Sequence, residues 1–299
     1  MSENIKVALI GLDTSHTVAF AGLIHDPATP AEQQIKGLQV TKCLRFDTPF
    51  QNTEGLDKRQ AYLESIGIPV TLDFDEAVEG CDAIMIEIND PSKHLEYFEK
   101  CAPLGKPIFL DKPFADNLEN MKKIIELIKK YNIRFFTSSS LRYDVDFVEA
   151  LAKGVDAHKV TVWGPVGAAP AGSGLIWYGC HVFEMLQAAM GRGAQSVSAY
   201  EDENGYVFQV FYADGRRGTV DMTPGAYQYG ALIRNKESEC ALGCVTMRIP
   251  FYFMLMKEIV RFFNGEDILP LEDSVEVMAM QVAAEAALAS GKAEPVFHL

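Results

Sequence analysis

A chain of 299 residues with 27 Lys and Arg against 41 Asp and Glu carries a formal net charge of −14, and it has no basic run that could neutralise a phosphate backbone. Nucleic acids and anionic membrane surfaces are therefore excluded as partners. At 48% hydrophobic and 23% charged, the composition supplies a large core, rules out intrinsic disorder, and suits about two domains of roughly 150 residues each.

The first residues, Met1-Ser2-Glu3-Asn4-Ile5-Lys6, run straight into a strand-like segment without the basic and apolar regions of a secretory leader. The most apolar run, Ile249 to Met256, stops at Lys257, well short of the about 20 residues needed to span a bilayer. A cytoplasmic protein is expected. Its six cysteines form no CxxC pair, and Cys240 and Cys244 lack the companions of a zinc site, so buried, reduced thiols and no bound metal are expected.

Short β-rich runs alternate with amphipathic helices through the first half. Strands are predicted at 6–10, 40–44, 69–72, 82–88, 107–111 and 133–138, and helices near 17–24, 59–66, 92–102 and from 116 onward. Asp116 and Glu119 form a capping signature, followed by Met121, Ile124, Ile125 and Ile128 at helical spacing. This alternation implies βαβ units and a doubly wound parallel sheet. Beyond about residue 155 strands follow one another directly, at 158–163, 196–201, 205–212, 217–222 and 229–234, with turns at 202–205 and 214–215. That order implies an antiparallel sheet, with helices near 181–190, 251–263 and 273–289 covering one face. The glycine-rich stretch 167–174 is a candidate lid. The expected fold is α/β: an N-terminal Rossmann domain over 1–118, and a C-terminal α+β domain over 119–299 with an open, mostly antiparallel sheet.

Ligands of doubly wound sheets bind at the carboxyl ends of the strands, where the strand order reverses. After the first strand the chain reads Gly11-Leu12-Asp13-Thr14-Ser15-His16, in which Gly11 alone matches a dinucleotide fingerprint that would have glycines at 11, 13 and 16. Thr14, Ser15 and the helix N-terminus can donate to a phosphate, whereas Asp13 would repel one it faced. Alternatively Asp13 or Ser15 is simply an N-cap. Arg45 and Asp47 follow the second strand, where an arginine suits a 2′-phosphate and a carboxylate suits a ribose diol, leaving NAD or NADP open. Asn89 and His94 follow the fourth strand, and Lys112-Pro113 closes the fifth, where proline would hold the ammonium rigidly. In the second half His181 and Glu184 share a helix flank, a pairing that suits a proton shuttle or, equally, a hydrogen-bonded histidine at a domain interface.

Taken together, Cys81–Ile86 leading to Asn89 and His94, the segment Gly105–Pro113, Ser138–Tyr143 and Gly179-x-His181 resemble the Gfo/Idh/MocA family of glucose-fructose oxidoreductase and inositol dehydrogenase. Asp13 and His16 at fingerprint glycine positions, and Trp177 where the family usually has an aspartate, look like a divergent branch. The resemblance implies an NAD(P)-dependent oxidoreductase that transfers hydride to or from a small polyhydroxylated substrate held between its domains. Lys112 would be general base or polarising cation, with His181 beside it and Glu184 substituting in its orientation. Gly11, Asp13, Thr14, Ser15, Arg45, Asn89, His94 and Lys112 would surround the cofactor, and Arg142 and Tyr178 would face the substrate. A homodimer or homotetramer is expected, formed through the open sheet face. The second hypothesis is a non-catalytic dinucleotide or sugar sensor on the same scaffold, and a third is metal-assisted hydrolysis or lyase chemistry using Asp13, His16 and His181.

Overall fold

The computed structural model describes residues 4–237 and 239–299, which pack as two compact units. The first is built on six parallel strands, β1 (Ile5–Ile10), β2 (Leu38–Leu44), β3 (Val70–Thr71), β4 (Ala83–Ile86), β5 (Ile108–Leu110) and β6 (Phe135–Phe136), in the order β3-β2-β1-β4-β5-β6. The crossovers carry α1 (Ser15–His25), α2 (Thr53–Ser65), α3 (Phe74–Val78), α4 (His94–Cys101) and α5 (Leu118–Tyr131). Val7 to Ile10 and Ala83 to Ile86 are wholly buried, as continuous apolar strands covered on both faces should be. The order reverses between β1 and β4, so the loops after β1, β4 and β5 converge at the carboxyl edge of the sheet.

This unit extends past the expected boundary at 118/119. The stripe Met121, Ile124, Ile125 and Ile128 of α5 is buried, and β6 pairs with β5 through Ile108 with Phe135 and Phe109 with Phe136. The chain also returns to it late. In the helix over 251–263, residues from Leu255 onward pack in the first unit. Phe262 lies 5.6 Å from Phe136, and the Arg134 guanidinium sits 4.9 Å over the Phe262 ring while donating to the Glu266 carbonyl. Most of that helix therefore does not cover the second sheet.

The second unit contains α6 (Val145–Ala152), β7 (Lys159–Val166), α7 (Gly174–Met190), β8 (Ala194–Asp202), β9 (Gly205–Tyr212), β10 (Arg217–Pro224), β11 (Gly230–Arg234) and β12 (Cys240–Cys244). After α8 (Phe251–Phe263), which links the units, come α9 (Leu271–Ser290) and β13 (Glu294–Pro295). The seven strands are ordered β12-β11-β7-β10-β9-β8-β13, antiparallel except for the β7–β10 pair. Helices α7 and α9 pack on one face around Val182, Phe183, Met185, Leu186, Phe208, Val210 and Met280. Tyr200, Phe211 and Leu242, on β8, β9 and β12, stay exposed.

Several elements depart from expectation. Asn52 caps α2 six residues earlier than its apolar periodicity suggests, by accepting from Gly55 N. The short α3, α6 and β12, of five, eight and five residues, were not expected from the sequence. Ser173 caps α7 through Ile176 N, so the helix starts at Gly174 and includes Trp177 and Tyr178. Four cysteines are buried as expected, but Cys240 is exposed and Cys244 half-buried. No helix among the described residues is long and apolar enough to cross a membrane.

Candidate active site

In the first unit the decisive segment is the turn from β1 into α1. Gly11 has φ +110°, and a Cβ there would stand 2.3 Å from the Glu87 carbonyl oxygen, so only glycine lets β1 end this close to the strand beside it. Thr14, rather than Asp13 or Ser15, caps α1 by accepting from His16 N at 3.1 Å. Thr17 Oγ1 ties the helix back to the Gly11 carbonyl.

Asp13 does not face outward. Its fully buried carboxylate accepts from Asn89 N (2.8 Å), Asp90 N (3.2 Å) and Thr48 Oγ1 (2.7 Å), bracing the β1 loop against the β4 loop. Burial raises its pKa, against the pull of these hydrogen bonds. Arg59 of α2 donates to the Leu12 carbonyl at 3.0 Å and its charge acts on Asp13. The carboxylate expected to contact cofactor is thus a brace within the loop, and Ser15 remains exposed at the first turn of α1.

His16 also turns inward. Its Nδ1 lies 2.7 Å from Asp111 Oδ2, at the end of β5, and both residues are buried. Fully buried Glu87, just after β4, completes a trio whose ligating atoms all lie within 4.8 Å of one another. Burial, reinforced by the Asp111 charge, holds the Glu87 carboxyl well above its usual range, while Lys112 opposes this. For Asp111 burial also opposes ionisation, but the His16 and Lys112 charges outweigh it and hold its carboxyl low. Lys112, 7% exposed, follows Asp111 and precedes Pro113 across a cis peptide bond.

Two other expected cofactor residues are committed elsewhere. His94 is fully buried, with Nε2 2.8 Å from the Ile88 carbonyl, which makes it a core histidine joining α4 to the β4 loop. Arg45 is held by Gln60 Oε1 and Asp57 Oδ1, each at 2.7 Å. Asp47, two residues further on, is exposed beyond the end of β2. Asn89 serves through its backbone N–H.

The second unit presents its own polar cluster. Glu184 does not orient His181: its Oε1 accepts from Ser138 Oγ (2.7 Å) and Arg142 Nε (2.6 Å). Arg142 also donates to Gln187, so the guanidinium expected at the substrate is a clamp between its own short 3₁₀ turn and α7. Ser139 takes the orienting role, with Oγ 2.7 Å from His181 Nδ1. Ser139 Oγ also accepts from Leu141 N at 3.2 Å, which fixes the hydroxyl oxygen beside the ring. Tyr178 and Tyr229 meet the ring edge-on at 5.4 and 5.8 Å. Burial, with Tyr178 adding to it, raises the Tyr229 hydroxyl pKa. Gln281 of α9 anchors the start of α7 by donating to the Leu175 and Ile176 carbonyls. Ser139, Tyr229, Arg59 and Glu87 were not singled out from the sequence. Of these, Glu87 left a local signal as the one charge inside the apolar run Ile84 to Ile88, and Ser139 lay within the Ser138–Tyr143 motif without being assigned a role.

Residues 50–139 match the family model GFO_IDH_MocA, described as an oxidoreductase family with an NAD-binding Rossmann fold. This segment carries the Gfo/Idh/MocA pattern. No curated protein sequence matches the chain. Among solved structures, myo-inositol dehydrogenase from Lactobacillus casei, in complex with NAD(H) and myo-inositol, has a TM-score of 0.81 at 14% identity over 99% of this chain and 98% of its own. Myo-inositol 2-dehydrogenase from Lactobacillus plantarum gives 0.80 at 14% identity, covering 99% and 100%. GenD2 from gentamicin A biosynthesis, in complex with NAD, gives 0.78 at 16% identity, covering 99% and 97%. At such identities the likeness establishes the shared fold.

Proposed function

We propose that this protein is an NAD-dependent oxidoreductase acting on a small polyol or sugar. The observation that carries this reading is the inward turn of Asp13 and His16. Both replace fingerprint glycines, yet both are buried against protein partners, with Arg59 countering the Asp13 charge. The outer side of the loop is left to Gly11, the α1 N-terminus and Ser15, which suits a pyrophosphate. The relatives' NAD complexes and the family description support the same reading.

NAD, when bound, supplies the hydride acceptor. Lys112 takes or returns the proton of the reacting hydroxyl, its backbone fixed by β5 and Pro113. His181, held by Ser139, offers Nε2–H to a substrate oxygen, and Tyr178 and Tyr229 keep the ring upright. Exposed Tyr200, Phe211 and Leu242 suit pairing of the second sheet with another copy, so a homodimer or homotetramer belongs to the proposal.

Fluorescence titration tests the cofactor assignment. NADH is expected to bind at least about tenfold more tightly than NADPH, since Arg45 is held by Asp57 and Gln60 while the exposed Asp47 after β2 suits a ribose diol. Equal or tighter binding of NADPH overturns the preference, and binding of neither overturns the function. A panel of inositols and sugars, followed by NADH absorbance, then identifies the substrate. NADH binding without turnover across that panel points instead to the sensor reading.

Ser139→Ala removes one neutral hydrogen bond to His181. An increase in KM or a loss in kcat of up to about tenfold is expected, with ¹⁵N shifts of His181 moving toward a tautomer mixture. Unchanged shifts would show that Ser139 does not set the tautomer.

A further inference from the structure

We propose that His16, Glu87 and Asp111 form a binding site for one divalent transition-metal ion of the zinc or manganese kind. Among the described residues this is the group of histidine, cysteine and carboxylate side chains whose ligating atoms converge, all within 4.8 Å. The three come from separate elements, the first turn of α1 and the ends of β4 and β5, so the fold brings them together across 95 residues of sequence.

A second, independent observation is the state of Glu87. Its side chain is fully buried, yet neither carboxylate oxygen has a hydrogen-bond partner. Buried carboxylates are ordinarily hydrogen-bonded or bound to a metal, because a desolvated acceptor without a partner is costly.

The donor set narrows the ion. One imidazole nitrogen and two carboxylate oxygens suit Zn²⁺ or Mn²⁺, whereas Mg²⁺ and Ca²⁺ prefer all-oxygen shells. Three protein ligands leave a further position for water. Other groups facing the trio are the Lys112 ammonium, which acts on both carboxylates, and the Cys43 thiol, which is engaged by the Gly11 carbonyl.

The test is metal analysis of the full-length protein, stripped with chelator and then titrated with Zn²⁺, Mn²⁺ or Mg²⁺ against a chromophoric competitor. One equivalent of Zn²⁺ or Mn²⁺ per chain is expected, with a melting temperature that rises with metal concentration and no response to Mg²⁺. His16→Ala and Asp111→Asn should weaken binding by roughly 100-fold or more. Glu87→Gln keeps the side-chain shape without its charge, so the metal-free variant should fold like the wild type by circular dichroism while binding metal at least about tenfold more weakly. Absence of binding to the wild type overturns the proposal. Wild-type affinity in Glu87→Gln does so too, as does an infrared carboxylic-acid band that Glu87→Gln abolishes and that persists with metal present. NADH binding, measured on the same samples, is a separate readout: its failure with metal retained counts against the oxidoreductase reading alone.

Discussion

Lys112→Ala is expected to lower turnover by about 10³-fold, within the range usual for loss of a positioned proton-transfer group. The side chain is 7% exposed and its backbone follows directly on β5, so the ammonium is held at the carboxyl end of the sheet. Two roles remain to be separated. If the ammonium only polarises the substrate oxygen, Lys112→Arg restores much of the rate, because the charge is kept. If Lys112 accepts the proton, arginine fails, because its guanidinium does not give up a proton in the working range. Single-turnover NADH absorbance on both variants decides between them, with NADH affinity measured alongside. Full turnover by Lys112→Ala would sink the mechanism.

Asp13→Ala should destabilise the protein by about 3 kcal/mol. The substitution leaves Asn89 N, Asp90 N and Thr48 Oγ1 without their acceptor in a dry interior, where each orphaned group costs roughly 1–3 kcal/mol before water or local rearrangement recovers part of it. It also leaves the Arg59 charge without its counterpart. Asp13→Asn should fall between, since one amide oxygen can serve one of the three donors while the NH₂ group opposes another. Urea denaturation measures the change. NADH affinity should drop as well, because the brace between the β1 and β4 loops is gone. A loss below about 0.5 kcal/mol would mean that the brace contributes little.

The parallel sheet was legible because its strands are buried on both faces and read as unbroken apolar runs, as in Val7 to Ile10 and Ala83 to Ile86. Boundaries set by capping were harder to see. Asn52 extends α2 beyond its periodic core, where no apolar repeat marks the helix, and Ser173 starts α7 seven residues before His181. At the site, residue identities were more legible than roles. Asp13 looked like a charge aimed at a phosphate because its acceptors' partners lie 35, 76 and 77 residues away. Glu184 is three residues from His181 on the same helix, yet Ser138 and Arg142 arrive from a distant turn and claim the carboxylate, leaving Ser139 to hold the ring. The net charge of −14 proved a poor guide to the turn between β1 and α1, since Arg59 supplies an opposing charge beside Asp13 there.

The late return of residues 255–268 to the first unit interleaves the two units along the chain, since 138–254 and 269–299 on either side belong to the second. During synthesis the amino-terminal sheet therefore waits for its last covering helix until nearly the whole chain has left the ribosome, and Phe136 stays without Phe262 until then. Cutting the gene after residue 137 would yield a fragment with that face uncovered, so the first unit should be separable only by joining 255–268 directly to it.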